Sequence, residues 1–299
     1  MKRHVEPPPG SSETIQRAVE YVDERLSSSE DTATVVQETL VDLFGDREGY
    51  ERYLSDESAS PVVRMRIQSY NPKNGLAECE HWAEQSPERT YDSKCLQYLW
   101  RGFDLAPISN NISFALHFRR MLARHLFEEV GEGVKLFGGI KIQCGHNIRM
   151  GDNVVVHNGV LLDDRGRLEI GDGVSVADRS HIHTHNHDLV EQSDVTTYRT
   201  IIDDNARLGY GSMVGAGCRV GENSIVGASA MVYGDVPDHH VATGSPAETI
   251  KVKPGWKEVA EDPGPLTDNR KDRTLDREIP DDIEPVDEFD RDLSPPTTG

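Results

Sequence analysis

The sequence predicts an all-β, parallel β-helix of about four to five coils, preceded by a mostly helical region. Three observations carry that reading. Aliphatic residues recur every six positions at Met150, Val156 and Leu162. After a two-residue slip they recur at Ile170, Val176 and Ile182, and after a longer gap at Ile202, Leu208, Val214, Val220, Val226 and Val232. Glycine follows the aliphatic at 151, 171, 209, 215, 221 and 227, and four positions on stands a mostly small or β-branched residue, among them Val154, Val160, Asn186, Ala230 and Val236. A six-residue period with one obligatory aliphatic and a tight turn is the pattern of a β-helix with three such units per coil. Each aliphatic fills a narrow prism, and glycine supplies positive φ at the corners.

The flanking segments follow in order. Residues 1–11 are charged and Pro-rich, read as a flexible leader, and carry no apolar stretch of a secretory signal. Ile15, Ala18, Val19, Val22 and Leu26 mark one face of a helix over 12–27, with Ser12 as a candidate N-cap. Val35, Val36, Leu40 and Leu43 repeat the pattern over 32–44, with a stop near Gly45. The stretch 46–109 reads as short helical pieces broken at Asn71-Pro72, Asn74-Gly75 and Ser86-Pro87. Phe114, Leu116, Phe118, Leu122 and Leu126 predict a stronger helix from Asn111 to about Val130, stopped by Gly131. Residues 12–130 thus form the helical region and 131–253 the β-helix. About 14 residues, 188–201, interrupt the hexads as a loop, and a long loop on a regular solenoid is usually functional. Residues 254–299 hold 14 acids and six bases, and so predict an acidic disordered tail.

Composition narrows the setting. The 299 residues carry 52 Asp+Glu against 32 Lys+Arg, a net charge of −20. Such a polyanion repels nucleic acid and anionic lipid. Only nine of the bases are Lys, and acids are spread throughout, a composition suited to high salt, where screening tames self-repulsion. No apolar run reaches the length of a membrane span. Cys79, Cys95, Cys144 and Cys218 form neither a CxxC pair nor a dense framework, which reads as a reduced, cytoplasmic chain without structural zinc. Between Leu208 and Val232 the only charged residues are Arg219 and Glu222, and so bare a β surface invites self-association.

Candidate chemistry clusters before the loop. His181, His183, His185 and His187 alternate, so in an extended strand they share one face. Imidazole is matched to removing a hydroxyl proton near neutral pH. No Cys or Ser sits in an activating motif.

Residues 122–252, about 130 of the 299, resemble the hexapeptide-repeat O-acyltransferases, nearest the maltose/galactoside O-acetyltransferase branch. The resemblance rests on LFEEVGEGVKLFGGIKIQCGHNIRMGDNVVVHNGVLLDD (126–164), HTHNHDL (183–189) and VGENSIVGASAMVYGDVPDHHVATGSPAETIK (220–251). It implies a left-handed β-helix, a homotrimer, and acetyl-CoA-dependent transfer to a hydroxyl of a small acceptor, sugars being one class. Carried over position by position, it makes His185 the general base, with His187 second and near the acceptor. Asn158, six residues before Asp164, becomes an acceptor ligand. Ala228 falls where late-coil backbone holds the pantetheine arm. Arg207 and Lys251, with Arg219 and Lys253, are candidate cations for the coenzyme's phosphates. The sequence departs from the family at Arg207, where Trp is usual, at Tyr233-Gly234 and at Glu248, which removes familiar coenzyme contacts. Two other readings stay open. One is a zinc site of the kind found in β-helical carbonic anhydrases, which His146 and the cluster suggest by a 35-residue separation from His181, although no H-x₄-H pair follows. The other is a non-catalytic assembly module. The transferase reading needs no metal.

Overall fold

The computed structural model describes residues 10–55, 59–190, 194–277 and 279. Six α-helices precede a parallel β-solenoid among these residues. They are α1 (Ser11–Ser27), α2 (Thr32–Phe44), α3 (Arg47–Leu54), α4 (Pro61–Ser69), α5 (Pro87–Leu105) and α6 (Ile112–Leu126). None is long and apolar enough to cross a membrane. Gly45 ends α2 in the left-handed conformation, φ 70°, as the sequence predicts. Helix α1 starts one residue before Ser12, and its N-cap is Gly10, so Ser12 caps nothing.

The stretch 46–109 departs most from expectation, because it holds the longest helix. Polar side chains of α5 are buried against the solenoid, so no clean apolar stripe shows. Gln97 donates to the carbonyl of Cys144 (2.9 Å), the Trp100 indole to Ile140 (3.0 Å) and Arg89 to His146 (2.6 Å). The buried Lys94 pairs with Glu80 at 2.9 Å. Helix α6 begins after its Asn111 cap but ends at Leu126, short of Val130. The chain there passes into the first strand, with Glu128 N donating to Ile148 O (3.0 Å) and Gly131 N to Met150 O (2.8 Å).

The solenoid is laid down coil by coil. Strands β1 (Glu129–Val130), β2 (Lys135–Leu136) and β3 (Lys141–Ile142) make the first coil, and β4 (Ile148–Met150), β5 (Val155–Val156) and β6 (Leu161–Leu162) the second. The third is β7 (Arg167–Ile170), β8 (Ser175–Val176) and β9 (His181–Ile182). A hairpin of β10 (His185–His187) and β11 (Val195–Thr197) leaves the prism there. The fourth coil is β12 (Arg199–Ile202), β13 (Arg207–Leu208) and β14 (Met213–Val214), and the fifth β15 (Arg219–Val220), β16 (Ile225–Val226) and β17 (Met231–Val232). An incomplete sixth turn ends in β18 (His240–Gly244), closed by antiparallel β19 (Ala247–Val252). Successive coils stack as three parallel sheets, the first, second and third faces of the prism. The result is about six turns against the four to five expected. The extra coil, 129–148, keeps its own hexad phase at Val130, Leu136 and Ile142 and is offset by a second two-residue slip before Met150.

All twelve predicted aliphatics point inward and are buried. They form one continuous core with Phe103, Phe118, Leu122 and Leu126 of α5 and α6. The glycines after them act differently from the expectation. Gly151, Gly171 and Gly221 do not have positive φ; a Cβ there would stand 2.3, 2.2 and 2.4 Å from an Asp carboxylate oxygen of the next coil. Positive φ lies two residues further on, at Asn153, Gly173, Asn205 and Asn223. The crowding carboxylates matter in their own right. Asp152, Asp172, Asp204 and Asp238 each accept a backbone N–H of the coil below, at 2.7 to 3.0 Å. Part of the acid excess is therefore a ladder of corner acceptors.

The expected disorder of 254–299 does not extend over 254–277, which pack along the solenoid. The leader residues 1–9 and the remainder 280–299 lie outside the described residues. Each inward aliphatic should dominate local stability. Ile182→Ala should cost about 2–5 kcal/mol of unfolding free energy. Lys141→Ala, outward on the same face, should cost no more than about 0.5 kcal/mol. Urea unfolding of the two variants makes the comparison.

Candidate functional site

The edge between the third and first faces carries the chemistry. After β9 the chain turns at His183 and Thr184 and leaves the prism as the hairpin, in the register His185–Thr197, Asn186–Thr196 and His187–Val195. The excursion starts three residues before the predicted 188–201. It also ends earlier, because Arg199–Ile202 already lies on β7. Asn186 is consequently exposed rather than filling a core slot.

One coil below, Leu162 is the register partner of Ile182, so Asp163 stacks beneath His183 and within reach of His185. His185 Nδ1 lies 2.7 Å from Asp163 Oδ2, and His183 Nδ1 lies 3.8 Å from the same oxygen. Asp163 is 1% exposed. Its carboxylate also accepts Thr184 N (2.9 Å) and Arg165 N (3.1 Å). Burial alone would raise its pKa, but the His185 hydrogen bond and charge, with these two amides, hold it below the ordinary range. With Nδ1–H donated to Asp163, Nε2 of His185 keeps the free lone pair. Burial pushes His183 below the usual imidazole range despite Asp163. His187 is exposed, its ring edge-on to His185 at 5.4 Å, while His181 and His183 form a second edge-on pair at 6.0 Å. The four histidines thus form two pairs rather than one row. Among the described residues no three His, Cys, Asp or Glu side chains converge as metal ligands. All four cysteines are buried free thiols.

The adjacent Asp164 has another task. Fully buried, it accepts Cys144 N (2.8 Å), Gln143 N (3.1 Å) and Asn147 N (3.3 Å), fixing the corner of the first coil. Burial, with Asp163 next door, pushes it up to about 7 against those amides. Asp163 is the partner that reading motifs one by one does not assign. Its signal is the step of one coil from Leu162 to Ile182, which places the residue after each on one column.

The other candidates lie elsewhere on the prism. Asn158 sits at the corner between the second and third faces, with its N and Nδ2 both 3.0 Å from Asp178 Oδ1. Backbone bonds from Arg179 to Asn158, Gly211 to Asp178 and Ser229 to Tyr210 continue this corner upward, and Ala228 lies exposed at its top. Asn158 and Ala228 therefore share one edge, and the third face separates them from His185. Arg207 and Lys251 both lie on the second face, at opposite ends of a row through Ile225 and Val241. Both are exposed, and Lys253 beside them donates to Asn223 Oδ1. Burial and Arg207 hold Lys253 below the usual amine range. Arg219 is on the first face, paired with Asp203 and Asp238, which neutralises it as a phosphate ligand.

The stacked prism has solved counterparts. The structural neighbours include maltose, galactoside and hexapeptide-repeat acetyltransferases, the family that the sequence motifs resemble. A maltose O-acetyltransferase from Clostridium difficile 630 is 26% identical, with a TM-score of 0.50 over 56% of this chain and 89% of that one. A galactoside acetyltransferase solved with coenzyme A is 22% identical (TM-score 0.50, 61% and 89% covered). A hexapeptide-repeat acetyltransferase from Vibrio cholerae is also 22% identical (0.50, 56% and 93%). The last two share the fold. No protein-family sequence model matches the chain.

Two coils below the hairpin, the same edge holds His146. Burial, with Arg89 and Arg277 nearby, lowers this imidazole to about 4, and its Nδ1 is buried without a hydrogen-bond partner among the described residues. A histidine depressed in the fold contributes stability that is complete above its unfolded pKa of about 6.5 and is lost as pH falls toward the folded value. Unfolding free energy should therefore fall between pH 6.5 and pH 4, by on the order of 3 kcal/mol from this residue. His146→Gln should flatten that part of the profile, which urea titrations at several pH values measure.

Proposed function

We propose that the protein transfers an acetyl group from acetyl-CoA to a hydroxyl of a small acceptor, with His185 as general base. The observation that carries this reading is the 2.7 Å contact of His185 Nδ1 with the buried Asp163, which leaves Nε2 free at the root of the extruded hairpin. Nε2 takes the hydroxyl proton as the oxygen attacks the thioester carbonyl. The tetrahedral intermediate then expels the coenzyme thiolate, which recovers the proton from the imidazolium. The products are an acetyl ester and free coenzyme A. Asp163 fixes the tautomer and stabilises the imidazolium, as an acidic partner does for catalytic histidines in general. A backbone N–H serves the oxyanion.

Asn158 and His187 are the proposed acceptor ligands. Arg207 and Lys251 supply positive charge for the coenzyme on an otherwise acidic protein, and Ala228 lends backbone to the pantetheine arm. Since His185 and the Asn158–Ala228 column occupy different edges, the complete site is assigned between neighbouring copies in a homotrimer. The coenzyme-bound neighbour of this fold supports the donor. No specific observation favours the zinc reading or the assembly-module reading.

His185→Ala should lower kcat by about 10²–10⁴. The Michaelis constant for acetyl-CoA should stay nearly unchanged, and chelators should have no effect. Steady-state assays with acetyl-CoA and a panel of hydroxylated acceptors provide the measurement. Near-normal transfer by His185→Ala, or loss of transfer on chelation, contradicts the proposal.

A further inference from the structure

The segment after β19 doubles back down the edge from which the hairpin emerges. Asp235 N donates to Thr267 O (2.7 Å), and Leu266 packs on the core. Arg273 then spans the edge. Its guanidinium meets both carboxylate oxygens of Asp235 at 2.9 and 2.6 Å, and donates to Gly217 O at 2.6 Å. Thr274 forms an antiparallel bridge with Tyr198, and Leu275 N donates to Thr197 O (2.8 Å). Two features show that the edge is built to receive this strap. The Asp235 side chain is only 12% exposed, and Arg273 is its sole ion-pair partner among the described residues. The strap thus supplies the cation for a carboxylate held largely out of solvent. The edge is also pared to glycine beneath the strap. A Cβ at Gly217 would stand 3.0 Å from Arg270 Cβ and 2.8 Å from Tyr198 Cδ1, and one at Gly234 would stand 3.0 Å from Leu266 Cβ.

We propose that this C-terminal strap, riveted by Arg273, is a positioning element for His185. The inference rests on the reading of His185 as general base. Thr197, which the strap holds, is the cross-strand partner of His185. Tyr198 N donates to Thr184 O (2.7 Å), Thr184 N donates to Asp163 Oδ2 (2.9 Å), and that oxygen holds His185 Nδ1. The strap therefore reaches the imidazole by two routes, through the paired strand and through the Thr184–Asp163 bonds. A two-stranded hairpin has marginal stability by itself. A third segment fixed along its base limits the positions the ring can adopt, and small misplacements of a catalytic group are costly. Arg273 and Leu275 act through other residues and touch no reacting atom.

The test uses three full-length variants: Arg273→Ala, Arg273→Lys and Leu275→Pro. The last removes the N–H given to Thr197, and Thr274, at φ −62° and ψ 133°, already has the extended conformation that precedes proline. Hydrogen exchange of residues 183–187 and 195–198 should accelerate about tenfold or more in Arg273→Ala and Leu275→Pro, whereas residues 129–142 keep their protection. Turnover should fall about 10–10²-fold with little change in the Michaelis constant for acetyl-CoA. Arg273→Lys, which keeps the charge but loses the two-pronged contact, should fall between. Unchanged exchange in the hairpin overturns the proposal, and so does faster exchange with unaltered turnover. Absence of acyl transfer in the wild type overturns the general-base reading instead, and the exchange comparison then still decides whether the strap holds the hairpin.

Discussion

The structure depends on one packing constraint, a prism so narrow that a two-residue strand can send only one aliphatic side chain inward. Strands of two residues cannot stand alone. They persist because Val156, Val176, Leu208 and Val226 stack directly over one another on the second face, and equivalent columns fill the other two. The same constraint fixes what lies outside. Once the inward residue is set, its neighbours fall at the corners in columns, one coil apart. Corner carboxylates then meet the amides of the adjacent coil, and chemistry is placed by stacking rather than by loops folding together.

Much of this was legible because the six-residue period is a direct imprint of the prism. The twelve aliphatics from Met150 to Val232 all have their expected role. The first coil was hidden by a phase slip, since Cys144 to Asn147 form an extra corner tied down by Asp164. The corner glycines were seen, but their reason was not. Gly151, Gly171 and Gly221 make room for carboxylates of the next coil, contacts between residues of different coils that no local pattern records. Helix α5 escaped because its buried face is partly polar and satisfied by solenoid carbonyls. The strap escaped because composition treats Arg273 as one base in an acidic tail, whereas its partner Asp235 is 38 residues away.

At the candidate site the histidines were conspicuous, and the resemblance singled out His185. Their arrangement was not readable, because alternation in a strand implies a single row. The turn at Thr184 breaks the row and delivers His185, not His183, to within 2.7 Å of Asp163. The buried acids of this edge divide the work. Asp164 holds the corner below, Asp163 orients the imidazole, and Asp235 anchors the strap. Each is stabilised by backbone amides or a cation, which is how a chain of net charge −20 tolerates them inside.

The central claim is that Asp163 and His185 act as one unit with Nε2 as the base. A double-mutant cycle on kcat for acetyl transfer, with Asp163→Asn, His185→Ala and the two combined, tests it most directly. The account predicts that Asp163→Asn alone lowers kcat by about 10²–10⁴-fold and that it has little further effect in the His185→Ala background, because residues that act as a unit are non-additive. Losses that multiply in the double variant would contradict it.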